Sequence, residues 1–294
     1  MAEVDGPGIH RPTGHVVVEP ARRRVRAIVD GIWVIDSDDA VTLYEQDSTP
    51  RWYVPRTDAR TDLLVATELT TATTARGPAV WSDLHLPERV IERAAWQHPD
   101  PPAGAPSLDG LISFEWNLLD AWFEEDEEII VHPRSPYTRV DVLRSSRHVH
   151  VELDGTVVAD SRRPLILLEG GHNPARYYLP WSDITRGLLE PSESFTACPY
   201  KGVASYWNVR IGDAVFHDVV WEYREPLWQV ARIAGHVCPF IEFTDVWVDG
   251  VALERPETKW AHHGPNAYTW RPGDAAWDPQ RDVDWRGDDR HASR

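Results

Sequence analysis

A chain of 294 residues, 42% hydrophobic and 26% charged, is long enough for about two ordinary globular domains. Its formal charge of −17 argues against nucleic-acid partners and anionic membrane surfaces, both of which select clustered cations. Fifteen Trp against one Met, and 24 Pro against 18 Gly, favour short strands and turns over long helices and leave rings to line surfaces or pockets.

Along the chain, residues 1–24 read as a polar leader with no apolar stretch of the kind a secretory signal carries. No run approaches the roughly 18 apolar residues of a spanning helix. The two cysteines, Cys198 and Cys238, then read as reduced thiols of a cytoplasmic protein.

The first ordered segment, 25–37, alternates apolar residues around Asp30-Gly31, which signals a hairpin. It recurs: Val25 reappears as Val149, Asp30-Gly31 as Asp154-Gly155 and Asp36-Ser37 as Asp160-Ser161, at a spacing of 124 residues. After one inserted residue the spacing becomes 125 and aligns Tyr53 with Tyr178, Gly77 with Gly202, Trp96 with Trp221 and Asp120-Ala121-Trp122 with Asp245-Val246-Trp247. A period this long marks a tandem domain rather than a solenoid. The expected organisation is copy 1 over 25–128, an Arg/Pro connector over 129–148, copy 2 over 149–254 and a Trp-containing tail over 255–294.

Within copy 2 the pattern predicts strands at 149–153, 156–160, 176–179, 194–197, 205–211, 214–216, 219–223, 239–243 and 245–248, with a second hairpin at Gly212-Asp213. Helical turns are expected at 182–189, capped by Ser182, and at 227–234 after Pro226. The fold class is mainly β: two similar compact antiparallel sheet or barrel domains with a few short helices.

Copy 1 is the more acidic, with 18 acids and 7 bases over 25–125 against 14 and 8 over 149–250. Its closing run, Glu124 to Glu128, reads as a solvated end. The connector reverses the sign, and Arg139, Arg144 and Arg147 are candidates to clamp the acidic copy 1 against copy 2. Trp260, Trp270, Trp277 and Trp285 suggest a tail anchored along the body, because disordered tails are usually poor in aromatics.

Leu153-Asp154-Gly155, Ala159-Asp160-Ser161, Tyr177-Tyr178-Leu179-Pro180, Cys198-Pro199-Tyr200-Lys201-Gly202 and Trp247-Val248-Asp249-Gly250 together resemble the bacterial domain-of-unknown-function 427 family, which also carries a nucleotidyltransferase-type label. The resemblance runs through copy 2 and, more weakly, through copy 1. It implies a small, mostly β domain with a tent-like or barrel-like antiparallel fold and no established reaction. The chain has no Gly-rich phosphate loop, paired-Asp metal motif or basic pocket stretch of the kind nucleotidyl transfer uses.

Chemistry concentrates in the stretch from Cys198 to Trp207. Lys201 lies three residues after Cys198, and a nearby ammonium activates a thiol. A catalytic reading uses Cys198, Lys201 and His236 in a transfer or hydrolysis. A Cys/His metal site of Cys198, Cys238, His236 and His217 lacks the paired C-x-x-C spacing that β-domain zinc sites use. Trp181, Trp207 and Trp228 have no matching ring in copy 1 and are the best candidates for a pocket wall, joined by Tyr200 and Tyr206. Flat indole faces bind sugars, cyclic imides and quaternary ammonium groups. The leading expectation is a small organic or sugar-like ligand in an aromatic cleft of copy 2 or between the domains, with Lys201 as polar anchor and no cofactor. The rivals are the Cys198 enzyme and an acidic scaffold for a basic protein partner.

Overall fold

The computed structural model describes residues 16–45, 48–71, 76–170, 173–258 and 260–261. The chain divides into two compact units between Tyr137 and Thr138.

Unit 1 runs β1 (Val16–Pro20), β2 (Val25–Val29), β3 (Ile32–Ser37), β4 (Val41–Glu45), β5 (Arg51–Pro55), β6 (Leu64–Thr71), β7 (Ala79–His85), β8 (Val90–Gln97), β9 (Leu111–Phe114), β10 (Ala121–Glu124) and β11 (Glu127–Ile129). Unit 2 runs β12 (Val140–Arg144), β13 (Val149–Leu153), β14 (Thr156–Ser161), β15 (Leu165–Glu169), β16 (Arg176–Pro180), β17 (Leu189–Cys198), β18 (Gly202–Ile211), β19 (Ala214–Glu222), β20 (His236–Pro239), β21 (Asp245–Val248) and β22 (Val251–Ala252).

The strands form a seven-stranded and a four-stranded sheet in each unit. The orders are β1-β4-β5-β9-β8-β7-β6 with β11-β10-β2-β3, and β12-β15-β16-β20-β19-β18-β17 with β14-β13-β21-β22. Strand for strand the two units have one topology, and every pairing is antiparallel. All four sheets are open, so of the sheet and barrel alternatives the sheet is the one formed. Among the described residues no helix is long and apolar enough to cross a membrane.

The hairpin signals hold. Asp30-Gly31 and Asp154-Gly155 both turn with positive φ at each residue, the two-residue geometry that matches strand twist. Alternation then sorts each seven-stranded sheet into two faces. Val54, Ile112, Leu179, Val220 and Val237 face inward, packing on Val25, Val29, Val149 and Val151 of the smaller sheets. Tyr53, Trp96, Tyr178, Trp221 and Cys238 face outward into separate clusters. The repeated glycines are steric requirements: a Cβ on Gly77 would stand 2.2 Å from the carbonyl oxygen of Asp100, and one on Gly202 3.3 Å from that of Glu225.

Several expectations need correction. The predicted strands at 214–216 and 219–223 are one strand, β19, and β17 begins five residues before the predicted 194. The predicted strand 239–243 lies earlier, as β20, because Phe240 to Thr244 form a turn closed by Phe240 carbonyl contacts. The helical turns shrink to 3-10 turns at Trp181–Asp183 and Trp228–Ile233, and Ser182 caps nothing.

Pairing Trp122 with Trp247 is one residue out. Trp122 lies opposite Ala27, and Val246 opposite Val151. Trp122 and Val246 therefore share the inward position, while Trp247 faces outward beside His150 at 5.6 Å. Burial sets strand register, and a shared residue name does not.

The acidic run is not a solvated end throughout: Glu124 is buried between Arg23 and Arg134, 3.0 Å from each. Val140–Arg144, within the stretch read as connector, is the edge strand β12. Arg139 and Arg147 pair with Asp141 and Asp249 of their own unit. At the start of the tail Trp260 packs on Phe240, and Thr258 donates to Glu242 at 2.7 Å. Trp270, Trp277 and Trp285 lie outside the described residues, as does Thr73, which the repeat matches to Cys198.

Candidate functional site

The sequence-predicted site residues do not share one constellation, because the seven-stranded sheet separates them. Tyr206 and Trp207 are neighbours on β18 and therefore point to opposite faces.

The outward face holds Cys198, Lys201 and Tyr206. Cys198, half-buried, ends β17, and the turn through Pro199, Tyr200 and Lys201 leads directly into β18. Lys201 Nζ donates to Glu169 Oε2 at 2.6 Å. Burial by itself would lower the pKa of this ammonium, but Cys198 and Glu169 beside it raise it above the ordinary lysine value and keep it charged. Lys201 is therefore engaged in an ion pair within its own unit. Copy 1 repeats the arrangement, with Arg76 3.0 Å from Glu45.

The surroundings repeat as well. Trp221 donates its indole N–H to the Tyr178 hydroxyl at 3.0 Å, as Trp96 does to Tyr53. Tyr206 and Thr196 share a hydroxyl hydrogen bond of 2.8 Å. Burial pushes both the Tyr178 hydroxyl and the Cys238 thiol well up. This is a buried, repeated polar core within the sheet's outward cluster.

His236 opens β20, with Nδ1 3.0 Å from the Ala234 carbonyl oxygen. No hydrogen bond joins it to Cys198 among the described residues. No three His, Cys, Asp or Glu side chains there gather into a metal site, so the Cys/His set read from the sequence is not assembled. Trp228 is 79% exposed on its 3-10 turn.

The inward face brings together Trp181 and Trp207, with a residue the sequence reading missed. Glu222, at the end of β19 and 8% exposed at its side chain, accepts the Trp181 indole N–H at 3.0 Å on Oε2 and the Trp207 indole N–H at 3.2 Å on Oε1. Arg224 Nε donates to the same Oε1 at 2.8 Å, and its guanidinium lies 5.9 Å from the Trp207 ring centroid. The two indoles cross at 74° with centroids 4.8 Å apart, and both remain half-buried.

Copy 1 has Arg56, Ser82, Gln97 and Pro99 at the four matching positions, so this corner belongs to copy 2 alone. The missing-counterpart test that singled out Trp181 and Trp207 also applies to Glu222 and Arg224 and would have found them.

A family model described as a domain of unknown function (DUF427) covers residues 17–125 and again 141–250. No curated protein matches the chain.

Proposed function

Because the chain belongs to the DUF427 family, as two copies of its domain, we propose that copy 2 has specialised to bind a small, neutral organic or sugar-like molecule in the corner between Trp181 and Trp207. The observation that carries this reading is the shared carboxylate. Glu222 takes a hydrogen bond from each indole and one from Arg224, which fixes both rings while leaving them half-buried. Fixed aromatic faces bind at low entropic cost, since nothing has to be ordered when the ligand arrives.

The charge of Glu222 is matched by Arg224, so the corner has no surplus anion to attract a quaternary ammonium group. A neutral ring with a flat apolar face, a sugar or a cyclic amide, fits it better. The two unpaired thiols support a reducing, cytoplasmic setting.

The test is a fluorescence titration of the full chain with methyl glucoside, succinimide and tetramethylammonium. The reading expects saturable quenching by one of the two neutral probes, and a roughly tenfold or greater loss of affinity in Trp207→Ala with an unchanged far-ultraviolet spectrum. Equal affinity in Trp207→Ala, or a response to tetramethylammonium alone, would contradict it.

A further inference from the structure

Unit 1 contains a cavity of about 180 Å³ on its own, among β1, the loop to β2, β4, β5 and the chain after β11. That space holds roughly six waters or one compact organic molecule. Its charged lining is Arg22, Arg23 and Arg134 with Glu19 and Glu124, and Thr42 also borders it. Tyr44 and Trp52 supply ring surface.

The charges in the cavity are already partly spent. Glu124 is flanked by Arg23 and Arg134, 3.0 Å from each. Both Glu19 oxygens accept the Tyr137 hydroxyl, at 2.6 and 2.7 Å. Arg22, exposed at the rim, has neither a hydrogen bond nor an ion pair among the described residues. Three cations thus face two carboxylates, a local excess of one positive charge beside a stretch, 25–125, that has 18 acids and 7 bases. A single anion would balance it.

The repeat tests whether the fold needs these groups. β12, β15 and β21 occupy the places of β1, β4 and β10. At the matching positions copy 2 has Leu143 for Glu19, Ser146 for Arg22, Ile166 for Thr42, Leu168 for Tyr44 and Val248 for Glu124. Val248 is buried in the core. The same architecture therefore forms with an apolar residue where copy 1 buries an ion triad, and buried ion pairs are in any case weak contributors to stability.

We propose that this cavity is a binding site for a small carboxylic acid with a compact, unsaturated body. Its carboxylate sits at the Arg22–Arg23 end and its body lies against Tyr44 and Trp52. Guanidinium groups favour carboxylates through paired, charge-assisted hydrogen bonds.

Calorimetric titration of the full chain at low salt tests the site, with benzoate, benzamide and inorganic phosphate as probes. Benzoate binds at one site per chain, benzamide, which has its shape without its charge, at least tenfold more weakly, and phosphate does not compete. Arg22→Gln, at an exposed position, weakens benzoate about tenfold without shifting the melting temperature. The double variant Thr42→Ile, Tyr44→Leu brings in the residues copy 2 already tolerates and removes binding. The assignment is overturned by absence of benzoate binding, by equal affinity for benzamide, by effective competition from phosphate, or by unchanged affinity in Arg22→Gln.

Discussion

Arg176 and Glu242 meet through hydrogen bonds of 2.6 and 2.7 Å, with the Glu242 side chain wholly out of solvent and Thr258 donating to it as well. Copy 1 keeps the cation as Arg51 but has Asn117 at the position 125 residues before Glu242, and Arg51 Nε has no hydrogen-bond partner among the described residues. Removing one member of such a pair leaves a bare buried charge, so Arg176→Met is expected to cost about 3–5 kcal/mol. Arg176→Met with Glu242→Leu should recover much of that loss, and urea melts of the two variants make the comparison. At this scale the sequence was only half legible. Trp181 and Trp207 stood out because copy 1 lacks them, but their partner Glu222 is 41 and 15 residues away and meets them only through strand pairing. Glu242 is likewise 66 residues from Arg176.

The strands that could be read were those with turn chemistry beside them. Asp-Gly and Gly-Asp pairs fixed the β2–β3, β13–β14 and β18–β19 hairpins. β12 and β15 were missed for lack of such punctuation, since β12 is embedded among arginines and Leu165 to Leu168 is a plain apolar run without alternation. The outer face of the small sheets shows how one frame takes different chemistry. In copy 1 Arg24 and Arg26 pair with Asp36 and Asp126; the matching residues in copy 2 are His148 and His150.

His150 lies between Glu152 and Asp160, 3.0 and 2.9 Å away, with His148 also on Asp160 and Trp247 alongside. The hydrogen bonds to Glu152 and then Asp160 raise the His150 pKa, with burial opposing. A raised folded-state value means that this stabilisation is complete below the unfolded histidine value of about 6.5 and fades as pH rises through the folded value. Melts across that window should show unit 2 losing up to about 1 kcal/mol on the alkaline side. His150→Arg, which copies unit 1, should flatten the profile.

Across the whole chain, one topology is written twice and given two different polar specialities. The repeat was visible in the sequence because turns and core positions recur at a fixed spacing. The proposed sites were harder to see, because each is built from residues the other copy lacks, scattered over strands that only the fold makes neighbours. The repeated groups, Lys201 with Glu169 and Arg76 with Glu45, belong to the shared frame. The unrepeated ones, Trp181, Trp207, Glu222 and Arg224, carry the proposed binding function.

The central claim is tested most directly by the indole N–H resonances of the full chain, assigned by single Trp→Phe replacement and followed during titration with methyl glucoside and succinimide. Both indole protons of the corner are held by Glu222, so a ligand seated there must perturb Trp181 and Trp207 together. Trp96 and Trp221, 3% and 8% exposed in the repeated core, should stay where they are. Shifts confined to Trp181 and Trp207 are the predicted result. Shifts at other indoles, with these two unmoved, or no shift with either probe, would contradict the account.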